Sequence, residues 1–195
     1  MTSFAKLRRI PRRLALQARF LARDAKGFAA VEFAMIVPVM IIMMLGCVET
    51  SDALTVSSRM INISGSVADM VARCSNVTTG DLSDIMRISD SLLGKYPYQA
   101  MYIEIVAVQA DAAGHVTVSW SYDHNHGSPL APGATYPGLP TGLVAPNGNL
   151  IITTASYRYR SPIGHFIHGQ INLSHTAYNA PRAGPVLLGA TACTY

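Results

Sequence analysis

Several enzyme signatures are missing from this chain. It has no Gly-x-Ser-x-Gly elbow, no phosphate-binding glycine loop, no His-Glu-x-x-His and no paired carboxylates in an identifiable motif. These absences point away from an enzyme, so no catalytic residue and no cofactor are expected. There is no internal repeat, and no linker long enough to separate two domains. The 195 residues then suit one domain of ordinary size with a segment outside it. Charge is sparse, at 13% of residues, and cysteine is limited to three.

Acidic residues are nearly absent from the start of the chain. Lys6, Arg8, Arg9, Arg12, Arg13, Arg19, Arg23 and Lys26 are opposed there by Asp24 alone. Eight of the fifteen basic residues therefore precede Gly27, and of the total charge of +4 this leader holds +7 and the remainder −3. The basic pI belongs to the leader. Nucleic-acid binding by the folded body loses its main support, and no nucleic-acid partner is expected. Lys and Arg immediately before an apolar span act instead as a topological signal that keeps their side in the cytoplasm.

A long apolar run comes next. Phe28 to Val48 covers 21 residues with Glu32 as its only charge. At about 1.5 Å per residue it makes roughly 31 Å of helix, the thickness of a bilayer's hydrocarbon core. Glu49 and Asp52 lie just beyond it, so the favoured orientation is amino terminus inside and carboxyl terminus outside. The run is too long for an ordinary secretory signal, although Gly46 and Cys47 are small residues near its far end.

Glu32 is costly in that position. A carboxylate on the first turn meets the positive end of the helix dipole, which accommodates it without explaining it. An ionisable group at mid-depth costs at least about 2.5 to 3.5 kcal/mol, so it is a functional candidate by default.

Gly27, the four residues "FAAV" and then Glu32-Phe33 form the Gly-xxxx-Glu-Phe processing motif of type IV pilin-like proteins. With the basic leader, Pro38 and the apolar run, "RDAKGFAAVEFAMIVPVMIIMMLG" resembles the TadE-like family, minor pseudopilins of Flp (tight adherence) pili. The resemblance is strongest over about residues 23 to 60. It implies cutting of the Gly27-Phe28 bond by a membrane-embedded prepilin peptidase on the cytoplasmic side. Phe28 would become the first residue and Glu32 the fifth, and the new α-amino cation could pair with that carboxylate within one subunit or on the next. The implied partners are the peptidase, other pilins or pseudopilins, the Tad assembly machinery and the lipid bilayer. The implied location is a bacterial inner membrane, single-pass, with the carboxyl-terminal domain in the periplasm and incorporation into a pilus open.

Beyond the span, Val56, Met60, Ile63, Val67, Met70 and Cys74 recur at steps of four and three, a seam along one side of a helix. Ser57, Ser58, Arg59, Asn62, Ser64, Ser66, Asp69 and Arg73 form its polar side. One helix is expected from about Phe28 to Cys74. A short second helix is expected through Leu82, Ile85, Met86, Ser89, Leu92 and Leu93 to Gly94, after a capping residue in "SNVTTGD".

Tyr102–Gln109 and "HVTVSWSY" alternate around "ADAAG" as a hairpin. Strand character returns at Leu150–Arg160 and near Gln170–Tyr178. The intervening residues 123–149 are rich in Gly, Pro and Asn, and are either an exposed functional loop or poorly ordered. The fold class is α+β: a long amino-terminal helix followed by a small antiparallel sheet of about four strands, pilin-like in arrangement. The domains read as leader 1–27, transmembrane helix 28–48 and outer domain 49–195.

Asp123, His124 and His126 form "DHNH", with His115, His165, His168 and His175 elsewhere. A metal site needs converging ligands with a satisfied second shell, so these read as polar turns and no metal site is expected. Cys47 reads as a small apolar residue of the span. Cys74 and Cys193 fall on the outer side, where they can form a disulfide worth roughly 4 to 5 kcal/mol on the chain-entropy model; Cys74 also fits the seam as a buried thiol. Two rival readings stand beside the pseudopilin: a permanently anchored periplasmic binding or enzymatic domain with an uncleaved helix, and a secreted enzyme cut near Gly46.

Overall fold

The computed structural model describes residues 25–193 except 126, 141 and 165. The basic leader through Asp24, His126 and His165 therefore lie outside the described residues. Helix α1 is Ala25–Arg73, with Pro38 inside it. It is followed by strand β1 (Asn76–Val77), helix α2 (Thr79–Leu92) and a 3-10 turn at Tyr98–Ala100. Strands β2 (Met101–Ala110), β3 (Val116–Asp123), β4 (Asn149–Tyr159), β5 (Ile171–Asn179) and β6 (Leu187–Leu188) complete the chain. The class is α+β. Of the described residues, those up to Val48 form one compact unit and those from Glu49 the other.

In the first unit the apolar side chains have no cover. Phe28, Phe33 and Met43 are each about two-thirds exposed, and Val31, Met35, Ile36, Val39, Met40, Ile41, Ile42 and Met44 are exposed with them. A helix apolar on all sides and buried on none is suited to lipid or to a like neighbour rather than to water.

The second unit has a core. Four strands pair antiparallel in the order β3-β2-β4-β5, with Ile105 opposite Tyr122 and Thr153. Alternation of side chains along a strand sends Ile103, Ile105, Ile151, Ala155, Tyr157 and Tyr159 to one face. There they cluster with Val56, Met60, Ile63, Val67 and Val71 of α1 and with Leu82, Ile85 and Met86 of α2. The seam residues of α1 are thus core residues, except that Met70 is only partly buried and Cys74 lies just past the helix end. Ser64 belongs with the seam and not with the polar side: it is fully buried, its hydroxyl donating to the Ile61 carbonyl at 3.0 Å.

The opposite face of the sheet also has a cover. Val106, Val108, Val118, Leu150 and Ile152 pack under Leu130, Tyr136, Leu139 and Val144 of the 123–149 connection. Val118 N–H donates to Ala134 O at 2.8 Å, and Gly133 N–H donates to Val118 O at the same distance. This connection is therefore a lid on the sheet. Its Pro and Gly residues supply turns between the few apolar side chains that anchor it.

Helix α2 starts with a capping box. Asp81 N–H donates to Thr78 Oγ1 at 3.1 Å, and Thr78 N–H donates to Asp81 Oδ2 at 2.9 Å. It ends at Leu93, which is buried, whereas Leu92 is exposed. Gly94 comes next with φ +65°, and a Cβ there would meet Arg59 Nη1 at 2.8 Å. That approach lets Arg59 donate to Leu92 O at 2.8 Å, tying α1 to the end of α2.

The last residues return to the end of α1. Arg182 N–H donates to Ala72 O, Leu187 N–H to Ser75 O and Gly189 N–H to Val77 O, and β6 runs parallel to β1. The indole of Trp120 donates to Val186 O at 2.7 Å, and Cys193 N–H donates to Asp81 Oδ2 at 3.0 Å. Cys74 and Cys193 are joined as a disulfide, with Cα atoms 5.2 Å apart.

Candidate functional site

Gly27, Phe28, Glu32 and Phe33 all fall within α1. Phe28 and Glu32 are four residues apart, so one helical turn places them on the same side, with about 6 Å of axial rise between them. An amine at Phe28 would thus have the Glu32 carboxylate as its neighbour one turn on. Both residues are exposed, as is Phe33. The carboxylate is open to a partner on another chain as readily as to one on its own.

A second group of polar residues gathers in the other unit, where α1 changes from apolar to mixed composition. Glu49 is almost wholly buried and accepts at Oε2 from the backbone N–H groups of Phe166 at 3.1 Å and Ile167 at 2.8 Å. Three residues on, Asp52 Oδ1 accepts from Tyr96 Oη at 2.7 Å and Lys95 Nζ at 3.0 Å, and its Oδ2 accepts from Tyr159 Oη at 3.0 Å. A cleft of about 470 Å³ is lined by Asp52, Lys95, Tyr96, Tyr157, Tyr159 and Arg160, among others. Lys95 and Arg59 both lie over the Tyr96 ring, at 5.0 and 5.4 Å from its centroid.

The electrostatics arise from that packing. Burial pushes the Asp52 carboxyl up, but hydrogen bonds from Tyr96, Lys95 and Tyr159 outweigh it and hold the group below the usual carboxylate range. Burial and then the bond to Asp52 push the Tyr159 phenol up to about 12. The hydrogen bond and the charge of Asp52 raise the Lys95 ammonium above its ordinary value. Asp52 therefore stays an anion and Lys95 a cation at neutral pH. No activated base or nucleophile results, and the cluster serves to fix the Tyr96 loop and the end of β4 to α1.

Asp123 is likewise a building element. It is buried, accepting at Oδ2 from Tyr102 Oη at 3.0 Å and at Oδ1 from Asn125 and Gly127 N–H at 3.0 and 2.7 Å. The "DHNH" turn is thus an Asx-type turn closed by its own aspartate. His124 lies beside it, partly buried, while His168 is exposed and His175 sits on β5. His115 Nδ1 is 3.0 Å from Asp111 Oδ2 at the hairpin turn. Among the described residues, no three His, Cys, Asp or Glu side chains converge as a metal site would require. Cys47 is a free, exposed thiol.

The roles of Glu49 and Asp52 went unread in the sequence, where they count only as two acidic residues after a span. The signal was present: two carboxylates one turn apart on a helix, in a chain with few charges. Their partners lie far along the chain, beyond the reach of any local pattern.

Taken together, these features define a class: an α+β domain whose leading helix is long and apolar enough, by length and composition, to cross a membrane. The model of the family described as TadE-like protein matches residues 27–69. Over that segment the chain is similar to this family, and the match takes in Gly27, Glu32, Phe33 and Pro38 together with most of the buried seam. No curated protein and no solved structure matches the chain at a significant level.

Proposed function

We propose that the protein is a membrane-anchored minor pseudopilin of the Flp/Tad type, acting in assembly or secretion of adhesion pili and not as an enzyme. A prepilin peptidase cuts it between Gly27 and Phe28, and its 49–195 domain stands in the periplasm, where it meets other pilins, pseudopilins or the Tad assembly machinery. The observation that carries this reading is the family match beginning at Gly27. The exposed Glu32 one turn beyond Phe28 supports it on physical grounds. A carboxylate among uncovered apolar side chains is costly until a cation reaches it, and cutting creates that cation one turn away. A leader of +7 opposes withdrawal of the helix from the bilayer, and its removal lifts that barrier.

The test is intact mass and amino-terminal sequencing after co-expression with the cognate peptidase. The pseudopilin reading expects a chain beginning at Phe28. Gly27→Leu should block the cut, and Glu32→Ala should leave the cut intact while abolishing pilus assembly. An unchanged amino terminus in piliated cells would favour a permanently anchored domain, and a soluble product beginning near Cys47 would favour a secreted protein.

A further inference from the structure

We infer that the open edge of β5 is a docking strand for another protein, which adds an extended segment there with apolar residues on one face and carboxylates on the other. The inference does not depend on cleavage after Gly27.

The two edges of the sheet differ. The outer edge of β3 is closed: Thr117 bridges to Thr135, Val118 N–H donates to Ala134 O, and Gly133 N–H donates to Val118 O. The register of β3 with β2 is also shifted by an irregularity at Ala107 and Val108. Strand β5 pairs with β4 alone, without a break from Ile171 opposite Tyr159 to Asn179 opposite Ile151. Among the described residues no other backbone group bonds to β5. The N–H and C=O groups of its alternate residues therefore face away from the sheet.

Folded proteins blunt such an edge with lysine, proline, a bulge or a very short strand. Strand β5 has none of these: its nine residues, Ile171–Asn179, include no lysine, arginine, proline or acidic residue. A long unguarded edge takes up an added strand through backbone hydrogen bonds, and alternate side chains then decide which sequence fits.

Those side chains set the partner's chemistry. Ile171, Leu173, His175 and Ala177 share the core face of the sheet, where Ile171 is 39% exposed and Leu173 is only partly covered. An added strand meets apolar contacts on this face. On the other face the Thr154 and Thr176 hydroxyls are 3.0 Å apart, and Asn172 lies opposite Arg158 of β4. A residue placed opposite Asn172 on an added strand is two strand spacings, about 10 Å, from Arg158. The short Asn172 side chain leaves that gap open, and an arginine and a glutamate reaching toward each other span it. Arg158 and Arg160 are exposed, and among the described residues neither has an ion-pair partner. In the cleft that both arginines line, Asp52 is answered by Lys95, so the arginines are the charge left over. A guanidinium fork is matched by a carboxylate. The chain after the leader totals −3, so this cationic end is a local feature and not a general attraction for anions. Charge complementarity thus selects an acidic strand.

Fluorescence anisotropy with the full chain in non-ionic detergent tests this. Labelled peptides the length of β5 serve as probes: alternating valine and glutamate, alternating valine and lysine, and the glutamate peptide N-methylated throughout, which has no backbone donor. The glutamate peptide should bind about tenfold or more tighter than the lysine peptide. Replacing both arginines, Arg158→Ala with Arg160→Ala, should narrow that gap to about twofold or less. N-methylation should remove binding, and bound glutamate peptide should slow amide exchange in β5 while leaving β3 unchanged. Equal binding of the glutamate and N-methylated peptides would reduce the contact to charge attraction and overturn the added strand. Equal binding of the glutamate and lysine peptides would overturn the acidic partner. Slowed exchange at β3 in place of β5 would move the site to the other edge and sink the proposal. Absence of binding by every peptide would overturn the docking edge, and a chain that sediments as a dimer until Ser174→Lys dissociates it would give the edge to a second copy instead.

Discussion

Two stretches of one helix obey opposite rules. From Phe28 to Val48 the apolar residues surround the axis, and all the large ones but Val37 and Leu45 are exposed. From Glu49 to Arg73 most apolar residues lie on a seam, where Val56, Met60, Ile63 and Val67 are fully or almost fully buried, and only Leu54 and Ile61 among the large ones are exposed off it. Both stretches are helical because their residues allow it, with glycine rare and proline present once. Apolar content alone does not make a core. A side chain contributes to folding only where other parts of the same chain arrive to cover it, and otherwise it is written for a different solvent.

The strongest way to break this contrast is at the far end of the helix. Cys74→Ser opens a loop whose ends are 119 residues apart in sequence, and should cost about 4 to 5 kcal/mol on the chain-entropy account. The urea midpoint of the detergent-solubilised protein, with and without reductant, measures it. Reductant should bring the unmodified chain to the level of the variant. Cys47→Ser, in the lipid-facing stretch, should leave the midpoint where it was. Identical midpoints for all forms would mean the carboxyl-terminal tail is held without its covalent link.

Next in size is a matched pair. Ile63→Ala leaves a hole where α1 meets the sheet and should cost about 2 to 5 kcal/mol. Ile42→Ala, at a residue 54% exposed, should leave the unfolding of the domain unchanged. Equal losses from both substitutions would erase the distinction between the two stretches. A smaller loss is expected from Glu49→Ala, which strips the acceptor from the Phe166 and Ile167 N–H groups and should cost about 1 to 3 kcal/mol. Amide hydrogen exchange should show faster exchange at those two residues and little change at the β2–β4 ladder.

The sequence was legible where structure is local. The seam of α1 repeats every three or four residues, and the hairpin of β2 and β3 alternates about a short turn, so both announce themselves within a window of ten or so residues. The capping box of Thr78 and Asp81 is equally local. At the candidate processing site, the spacing of Gly27 and Glu32 is a linear motif, and linear motifs survive reading in one dimension. What stayed hidden is held by contacts across the chain. Glu49 reaches Ile167, 118 positions away, and Trp120 reaches Val186. The pairing of Asn76–Val77 with Leu187–Leu188 involves two residues on each side, too few to leave a periodic signature. The 123–149 lid misleads because its Pro and Gly residues dominate its composition. The side chains that do its packing are few: Leu130, Tyr136, Leu139 and Val144.

The smallest effect expected is a two-sided response to pH, and it separates carboxylates that tie elements together from those that the fold merely tolerates. Burial opposes ionisation of Asp52, but its three side-chain donors prevail and its folded value lies below the usual one. At Asp81 the Thr78 backbone bond leads the same downward shift. Groups lowered in this way stabilise the fold above their unfolded value near 3.9, and that stability disappears as pH falls through the folded value. Burial instead raises Glu104, with help from the neighbouring charge of Asp123, so its contribution runs the other way. The folded state holds that proton more tightly, and stability falls as pH rises from the unfolded value through the folded one. Thermal unfolding followed across pH 2 to 8 should therefore show a steep acid limb and a shallow decline that begins at the ordinary glutamate value and ends at the raised folded one. Asp52→Asn should soften the first and leave the second. Glu104→Gln should flatten the second and leave the first, and if either substitution moved both limbs alike, the Asp52 tie and the half-buried Glu104 carboxylate would have to be one coupled system.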